Sequence, residues 1–306
     1  MRSLRPGEYR RVLALGGDDA ALAELPAPLR YTWRPPLAGL PGDVLALELA
    51  GELVGYAGYA VAEGAPERWS FTLLVLPAFR RRGIGGHALG ALGEELRPRG
   101  GARLFTLVYA NQSENMRFLL QRGFHAIGRS ISCQLDLAAA PTSLDDPEAI
   151  VAGQGLRLTP LDRLPRHSLA ERLLPLWNST RPDQPQAWPF VPYSARRLAQ
   201  EMLEPDAVAL PFSYAVLTPQ NEAVALALSA NVGAGQLGTT YLAVDPGMRR
   251  RGLALALKLR LIADARAAHY VALFAENETH NAAMRALNRR LGYRDLLELV
   301  VVEREL

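Results

Sequence analysis

Three consecutive arginines stand directly before a glycine, and a helical pattern begins at the next residue. The arginines are Arg80, Arg81 and Arg82, the glycine is Gly83, and apolar residues recur at helical spacing through 84–96. A helix N-terminus already carries about half a positive charge from its macrodipole, so three cations there are unfavourable unless an anion lies among them. Glycine lacks a Cβ, which lets backbone amides approach a phosphate closely. The pattern therefore predicts a turn that binds a pyrophosphate.

The same arrangement occurs a second time at a constant offset along the chain. Arg249, Arg250 and Arg251 precede Gly252, and a second helical pattern covers 253–267. In both copies a strand-like apolar run ends a few residues before the arginines. One copy is compatible with a surface loop of solvated arginines, but two copies in matched contexts favour binding. A repeat of this size indicates a duplicated domain rather than a solenoid.

These residues resemble a known family signature. The segments 80–85 and 249–254 resemble the Arg/Gln-x-x-Gly-x-Gly/Ala motif of the Gcn5-related N-acetyltransferases. Asn111 ahead of one Gly-Phe pair, and Asn277 and Asn281 ahead of a Gly-Tyr pair, resemble the family's Asn–helix–Gly–Phe ending. In that family the amides of the arginine turn bind the pyrophosphate of acetyl-coenzyme A, so the resemblance implies this cofactor.

The resemblance also implies which residues contact acetyl-coenzyme A, namely the end of each strand, the turn, the helix start and the asparagines. In the first half these are Leu74, Val75, Arg80, Arg81, Arg82, Gly83, Ile84, Gly85, Gly86 and Asn111. In the second half these are Leu242, Ala243, Val244, Arg249, Arg250, Arg251, Gly252, Leu253, Ala254, Asn277 and Asn281.

The implied fold class is α/β, an α+β arrangement with a mixed sheet, in two tandem acyl-coenzyme A N-acyltransferase domains. The expected domains are 1–140 and 155–306, and 141–154 is expected to be a linker because it is rich in alanine, proline and acidic residues. The layout is similar to that of tandem members such as mycothiol synthase. Each half shows the order helices, hairpin, strand, helix, strand, helix, strand, with helices expected within 9–25. The last strand of each half is expected at 130–137 and 296–303.

Neither half has the residues that many family members use as base and acid. A Glu or His commonly lies six residues before the terminal valine of the strand, and these positions hold Trp69 and Gly238. A Tyr commonly lies four residues before the Gly of the Gly-Phe motif, and these positions hold Leu119 and Asn288. Holding both reactants in place can itself contribute several kcal/mol to catalysis.

Other residues near the relevant strand ends are able to act as base or acid. The catalytic candidates are Tyr241 and Glu276 in the second half. Glu67, Tyr109 and Tyr293 remain open as alternatives. For each of these residues, the alternative to a catalytic role is packing in the core or exposure to solvent at a strand edge.

The predicted function is an N-acetyltransferase that moves an acetyl group from acetyl-coenzyme A to a primary amine by direct attack in a ternary complex. The second half is the predicted active half, because it has two asparagines, a long helix after the turn and an aromatic segment at 177–193. That segment is the candidate wall of the acceptor-binding site. The alternative is that it is a long loop with only a packing role. The partner is expected to be a small-molecule amine or peptide. The alternative function is a non-catalytic acyl-coenzyme A sensor or scaffold, because the usual base and acid are missing.

The composition argues against other classes of function. The chain has 306 residues, 49% of them apolar, and a formal charge of +3. Because the arginines are not arranged in one long stripe, a nucleic-acid partner is not expected. No run approaches the roughly 20 apolar residues of a membrane helix, so no membrane partner is expected. Cys133 is the only cysteine. With no signal peptide expected, this favours a cytoplasmic protein. No metal site is expected, and a monomer or a homodimer is compatible with the sequence.

Overall fold

The computed structural model describes residues 2–3, 42–62, 64–141, 145–183, 190–204, 208–233 and 235–306. The helices predicted within 9–25 lie outside these residues. By internal contacts the chain divides into two compact units. The first unit combines the chain up to Arg129 with Glu298–Leu306, and the second contains Ser130–Gln186 and Phe190–Leu297.

The strands of the described residues are numbered in chain order. They are β1 (Arg2–Ser3), β2 (Gly42–Leu49), β3 (Glu52–Ala62), β4 (Ala65–Val75), β5 (Arg103–Tyr109), β6 (His125–Asp136), β7 (Arg157–Pro160), β8 (Tyr214–Leu217), β9 (Ala223–Gly233), β10 (Gln236–Val244), β11 (Ala272–Glu278) and β12 (Arg294–Glu305). The α-helices are α1 (Ile84–Leu96), α2 (Ser113–Leu120), α3 (Pro147–Ala152), α4 (Arg166–Thr180), α5 (Ala195–Met202), α6 (Leu253–Ala267) and α7 (Ala282–Arg290).

The first unit has antiparallel strands β1 to β4, followed by a parallel pairing of β4 with β5. The helix between those two strands, α1, buries Leu89, Leu92 and Leu96, which recur at helical spacing and join the core of this unit. A strand–helix–strand connection of this kind sets the start of the helix beside the end of the strand before it. The first arginine turn therefore lies at the C-terminal end of β4.

The second unit repeats this plan. Strands β7 to β10 are antiparallel, and β10 pairs with β11 in parallel through the α6 crossover. Helix α6 buries Leu253, Leu257 and Leu261 in one core, while Leu169 and Leu173 of α4 belong to a second core of the same unit. The mixed α/β architecture predicted from the sequence is confirmed, and α1 and α6 have the predicted bounds.

The last strand of each sequence half pairs with a strand of the other half. Residues 130–136 of β6 pair antiparallel with β11, from Glu278↔Ser130 to Ala272↔Asp136. Residues 299–305 of β12 pair antiparallel with β5, from Leu299↔Tyr109 to Glu305↔Arg103. The sequence predicts both strands correctly but expects each to close its own half. The apolar alternation of a strand specifies which of its faces is buried. It does not specify which sheet edge the strand pairs with, and the strands at 130–136 and 299–305 fit either edge equally well.

The segment 141–154, which is predicted from the sequence to be a linker, contains the helix α3. Asp146 caps this helix by accepting a hydrogen bond from the Glu148 amide at 2.9 Å. Val151 is buried in the same core as the apolar residues of α6. Among the residues that the structure describes, no helix is long and apolar enough to cross a membrane.

Candidate active site

The first arginine turn joins the end of β4 to the start of α1. After a 3-10 turn at Pro77–Phe79, Arg80 is extended, and Arg81 and Gly83 have positive φ angles of 64° and 81°. Left-handed backbone at a non-glycine residue costs about 1–3 kcal/mol and is concentrated at functional sites. An added Cβ at Gly83 would meet nothing within 4 Å, so the need for glycine there is conformational.

The second turn, between β10 and α6, has the same backbone. A 3-10 turn at Pro246–Met248 is followed by an extended Arg249, and Arg250 and Gly252 have φ angles of 62° and 81°. An arginine therefore adopts the left-handed region at the same place in both turns. Two copies of one strained conformation indicate that the turn geometry itself is what the duplication retains.

Each turn leaves a set of backbone N–H groups free of helical partners. The first N–H in the ladder of α1 belongs to His87, which donates to the Gly83 carbonyl at 3.0 Å. In α6 the Ala256 N–H donates to Gly252 at 2.9 Å. Neither helix start has a side-chain cap. The amides of 84–86 and 253–255 are therefore donors without helical acceptors, which is the chemistry that a phosphate needs.

The first arginine of each turn braces the turn against its own strand. Arg80 Nε donates to the Val75 carbonyl at 2.8 Å, and Arg249 Nε donates to the Val244 carbonyl at 3.2 Å. Arg249 also forms an ion pair with Asp183. These contacts give the two predicted cofactor residues a role in shaping the turn.

The other arginines of the turns are exposed at the surface. The guanidinium of Arg82 lies 5.4 Å from the centre of the Phe79 ring, and Arg81 is 3.5 Å from Glu114 in an exposed pair. In the second turn the carbonyl of Arg251 accepts a hydrogen bond from Gln154 at 2.9 Å. The end of the 141–154 segment therefore helps to hold the second turn.

The glycines after the first turn lie close to side chains of the same unit. A Cβ added at Gly85 would lie 3.2 Å from the Phe118 ring, and one added at Gly86 would lie 3.0 Å from the Arg122 guanidinium. From the sequence, Gly85 is expected to let backbone amides approach a phosphate closely. In the second unit the residue at the position of Gly85 is Ala254. This is compatible with a packing role for Gly85, because the Phe118 contact belongs to the first unit.

Both units open a cleft between the strand before the turn and the strand after it. The parallel pairing of β4 with β5 stops at Ser70↔Phe105, and that of β10 with β11 stops at Thr239↔Ala275. Both members of each pair continue for several more residues without pairing to each other. The resulting splay exposes main-chain groups beside the arginine turn, and it is a feature that the sequence could not show.

The splay of the second unit carries an additional irregularity. The register of β10 against β9 shifts between Thr239↔Ser229 and Tyr241↔Leu228, so Thr240 forms a β-bulge. In the first unit the register of β4 runs without a shift from Val75 to Trp69. A bulge leaves one residue outside the ladder and redirects its backbone groups. The bulge therefore redirects the backbone groups of Thr240 at the splay.

Two carboxylates follow the splay on β11. Glu276 accepts a hydrogen bond from Ser130 Oγ at 2.6 Å. Glu278 is half-buried, and desolvation raises the pKa of its carboxyl, with the nearby Glu276 raising it further and His280 opposing the shift. Because side chains alternate along a strand, both carboxylates lie on the face opposite Ala275, which packs under α6.

Glu278 was not among the residues predicted from the sequence. Its period-two spacing from Glu276 was the available signal. The corresponding positions in the first unit hold Leu107 and Tyr109. Among the described residues, no group of three or more His, Cys, Asp or Glu side chains is arranged to hold a metal ion.

Tyr241 lies in the core of the second unit. Its hydroxyl is 2.7 Å from Thr180 Oγ1, which itself donates to the Leu176 carbonyl, and its ring centre is 4.3 Å from that of Trp177. Burial raises the pKa of its hydroxyl. This arrangement favours a packing role. Of the open alternatives, Glu67 precedes the splay, and Tyr109 and Tyr293 are buried.

The aromatic segment at 177–193 packs onto Trp177. The Tyr193 ring lies 5.4 Å from Trp177 and 6.2 Å from Phe190, and the Asn178 side chain hydrogen-bonds both the N–H and the carbonyl of Tyr193. The described aromatic side chains of the segment therefore pack against the core at Trp177, while Trp188 lies outside the described residues. The predicted cofactor asparagines also have local partners or exposed positions. Asn281 caps α7 through the Met284 amide, Asn277 contacts Cys133 Sγ at 3.8 Å, and Asn111 is exposed.

Comparison with known proteins follows this geometry. Residues 18–124 and 173–293 match the model of the acetyltransferase (GNAT) family. None of the curated proteins matches this chain. A GCN5-related N-acetyltransferase from Sphaerobacter thermophilus is 19% identical, with a TM-score of 0.66 over 99% of this chain and 94% of that one. A tandem GNAT protein from the clavulanic acid biosynthesis pathway, solved without AcCoA, is 18% identical, with a TM-score of 0.70 over 98% and 94%. The glucosamine N-acetyltransferase region of a fungal GH3 β-N-acetylglucosaminidase is 13% identical, with a TM-score of 0.74 over 99% and 37%. At these identities the likeness shows the fold alone.

Proposed function

Because the chain belongs to the acetyltransferase (GNAT) family, we propose that it transfers an acetyl group from acetyl-coenzyme A to a primary amine, and that the reaction takes place in its second unit. The observation that carries this assignment is the edge of the β10–β11 splay. It is flanked by a bulge at Thr240 and by the carboxylates of Glu276 and Glu278, where the first unit has Leu107 and Tyr109.

The residues of the second turn fit the diphosphate of this cofactor. The N–H groups of 253–255 have no helical partner, Gly252 has the positive φ that the turn needs, and Arg250 and Arg251 are exposed beside them. When bound, acetyl-coenzyme A supplies an acetyl group activated as a thioester. The cofactor residues predicted from the sequence remain part of this proposal, with Arg249 as the brace of the turn.

Glu278 is proposed as the general base. A carboxyl whose pKa is raised by burial is a better proton acceptor near neutral pH than an ordinary one, because its pKa lies closer to the working pH. Glu276, held by Ser130, adds a second negative charge on the same face. Two carboxylates at the cleft attract an ammonium group, so the acceptor class that fits is a cationic small-molecule amine or peptide N-terminus.

The domain organisation is part of the proposal. Residues 1–140 and 155–306 are proposed as the two acetyltransferase-type domains and 141–154 as the segment that joins them, with the last strands exchanged. The first unit has the turn and the splay without the carboxylates, which supports a scaffold or weak cofactor-binding role for it. The protein is also proposed to be cytoplasmic, and to be a monomer or a homodimer.

The test is release of free coenzyme A thiol with a panel of small amines, aminoglycosides and peptides. Arg251→Glu and Arg82→Glu form a matched pair, because both side chains are exposed at the same place in the two turns. We expect turnover to be lost in Arg251→Glu and retained in Arg82→Glu. The reverse pattern would move the reaction to the first unit. Saturable binding of acetyl-coenzyme A without turnover on any amine would favour the sensor or scaffold function instead.

A further inference from the structure

The core of the second unit contains four polar side chains where the first unit has apolar ones. They are Lys258 on α6, Cys133 on β6, Asn288 on α7 and Tyr293. At the corresponding positions the first unit has, in the same order, Leu89, Val302, Leu119 and Phe124, all buried. The first unit thus shows that this fold closes its core without polar groups at these places.

Lys258 is the most costly member of this cluster. Its side chain is 2% exposed, and Nζ lies 4.7 Å from the centre of the Tyr293 ring. Within the described residues, its ammonium has no hydrogen bond or ion pair. A cation over an aromatic face is stabilised, but much less than a buried charge loses on leaving water. A buried lysine without an anion is therefore a candidate functional group.

Two further atoms in the cluster lack partners. The Asn288 Oδ1 atom and the Tyr293 hydroxyl are both buried without any hydrogen bond. The other end of the Asn288 amide donates to Cys133 Sγ at 3.5 Å. Each unsatisfied buried polar group costs about 1–3 kcal/mol. An ammonium and a hydroxyl without acceptors in one core describe a subsite for an atom that accepts hydrogen bonds, whereas the Asn288 carbonyl oxygen can accept such a bond but cannot donate one.

The cluster lies at the root of the splay on the α6 face of the sheet. Ala275 is the last residue of β11 that pairs with β10, and Cys133 lies opposite it on β6. Asn277, just past that point, contacts Cys133 Sγ. Lys258 is in the second turn of the helix that begins at the second arginine turn. The subsite and the carboxylates of Glu276 and Glu278 therefore flank the splay from opposite faces.

We propose that this cluster receives the sulfur of the acyl-coenzyme A thioester and that the Lys258 ammonium donates the proton that the departing thiolate takes up. This inference rests on the proposed function of the second unit. Asn288, Tyr293 and Cys133 are positioning residues that hold the lysine in place.

The proton and electron balance is complete with groups already named. The acceptor nitrogen forms the new C–N bond as the C–S bond breaks, and the electron pair of that bond goes to sulfur. Lys258 transfers one proton to the sulfur and becomes a neutral amine. An acceptor that arrives as an ammonium ion first releases one proton to water, and Glu278 takes the second proton, which the nitrogen loses as the C–N bond forms. Exchange with water then returns both side chains to their starting states.

The charge state of Lys258 suits this role. Burial lowers the pKa of its amine from 10.5 to about 8, and Cys133 is the one titratable group whose charge acts on it. Burial raises the pKa of the Cys133 thiol to about 11, so the thiol stays neutral and leaves the ammonium without a counter-ion. Tyr293, whose pKa burial also raises, is likewise neutral. An uncompensated ammonium gives up its proton readily.

The first test measures the thiol of bound coenzyme A without turnover. Its pKa is followed by the ultraviolet absorbance of the thiolate in complexes with the wild type, Lys258→Met and Tyr293→Phe, with Leu89→Met as the matched control in the first unit. A nearby cation lowers a thiol pKa by about 1–3 units. We therefore expect the thiol pKa to rise by at least about one unit in Lys258→Met and to stay unchanged in Leu89→Met.

The second test is the pH dependence of turnover. We expect the wild-type kcat to fall as pH rises through about 8, where Lys258 loses its proton. In Lys258→Met this descending limb disappears and kcat falls about 10²-fold, while the KM for acetyl-coenzyme A changes little. Unchanged thiol pKa and pH profile in this variant would overturn the inference while leaving the proposed function intact. Failure of the wild type to bind coenzyme A would overturn both.

Discussion

Replacing Lys258 with leucine gives the second unit the residue that the first unit has at the corresponding position, Leu89. We expect Lys258→Leu to raise the free energy of unfolding at pH 7. Lys258 is the only lysine in the chain. The reason is that the native state buries an ammonium with no anion, and the substitution removes that penalty. Leu89 shows that leucine packs in this position of the fold, where it is buried.

The magnitude follows from the pKa of the amine. Burial lowers it from 10.5 to about 8, and one unit corresponds to about 1.4 kcal/mol, so the penalty is about 3 kcal/mol. The cation–π contact with Tyr293, about 0.5–2 kcal/mol, is lost with the charge. The net gain expected at pH 7 is therefore about 1–3 kcal/mol.

The gain depends on pH with a defined sign. Below pH 8 the amine is charged in both the native and the unfolded states, and the full penalty applies. Between pH 8 and 10.5 the native state loses its proton while the unfolded state retains it, so wild-type stability rises relative to the variant. The advantage of Lys258→Leu should therefore be greatest at neutral pH and shrink as pH approaches 10.5.

The assay is urea unfolding followed by circular dichroism at several pH values, with Leu89→Met as the control whose effect should not depend on pH. Titration of other groups is common to the wild type and the variants and cancels in the difference. A loss of stability in Lys258→Leu at pH 7, or a difference that is constant from pH 7 to 10, would refute the reasoning about the buried charge.

Three further outcomes are expected. Gly85→Ala brings a Cβ within 3.2 Å of the Phe118 ring, so thermal melts should show less than the stabilisation of about 0.5–1 kcal/mol that alanine has over glycine in an open helical position. Asp183→Asn releases Arg249 and removes a negative charge beside the second turn. Calorimetry should therefore show tighter binding of coenzyme A, with the difference decreasing at high salt. Glu278→Gln should lower kcat by about 10²–10⁴-fold and remove the rise of the wild-type rate with increasing pH, because the base must be ionised and its pKa is raised in the fold. In that case a rate profile unchanged from the wild type would exclude Glu278 as the base.

The duplicated turns and their helices could be predicted from the sequence. Glycine and arginine at fixed spacing after an apolar run specify a strand, a left-handed turn and a helix start, all of which are local features. Hence α1 and α6 have the predicted bounds, and Gly83 and Gly252 have the positive φ that only glycine adopts without strain. The membership of the chain in the acetyltransferase family follows from the same local pattern.

Features that depend on distant partners could not be predicted. The exchange of the strands at 130–136 and 299–305 depends on which sheet edge each strand meets, and its apolar alternation fits either. The sequence also could not show that Gly85 lies against the Phe118 ring or that Tyr241 packs against Trp177. Lys258 reads as an ordinary helical lysine until the fold buries it.

The account depends on the second arginine turn binding coenzyme A, and calorimetry with acetyl-coenzyme A tests this most directly. We expect the wild type and Arg82→Glu to bind with closely similar affinity, and Arg251→Glu to bind at least about tenfold more weakly, because a charge reversal beside a phosphate costs more than 1 kcal/mol. No heat of binding with the wild type, or equal affinity in Arg251→Glu and the wild type, would contradict the account.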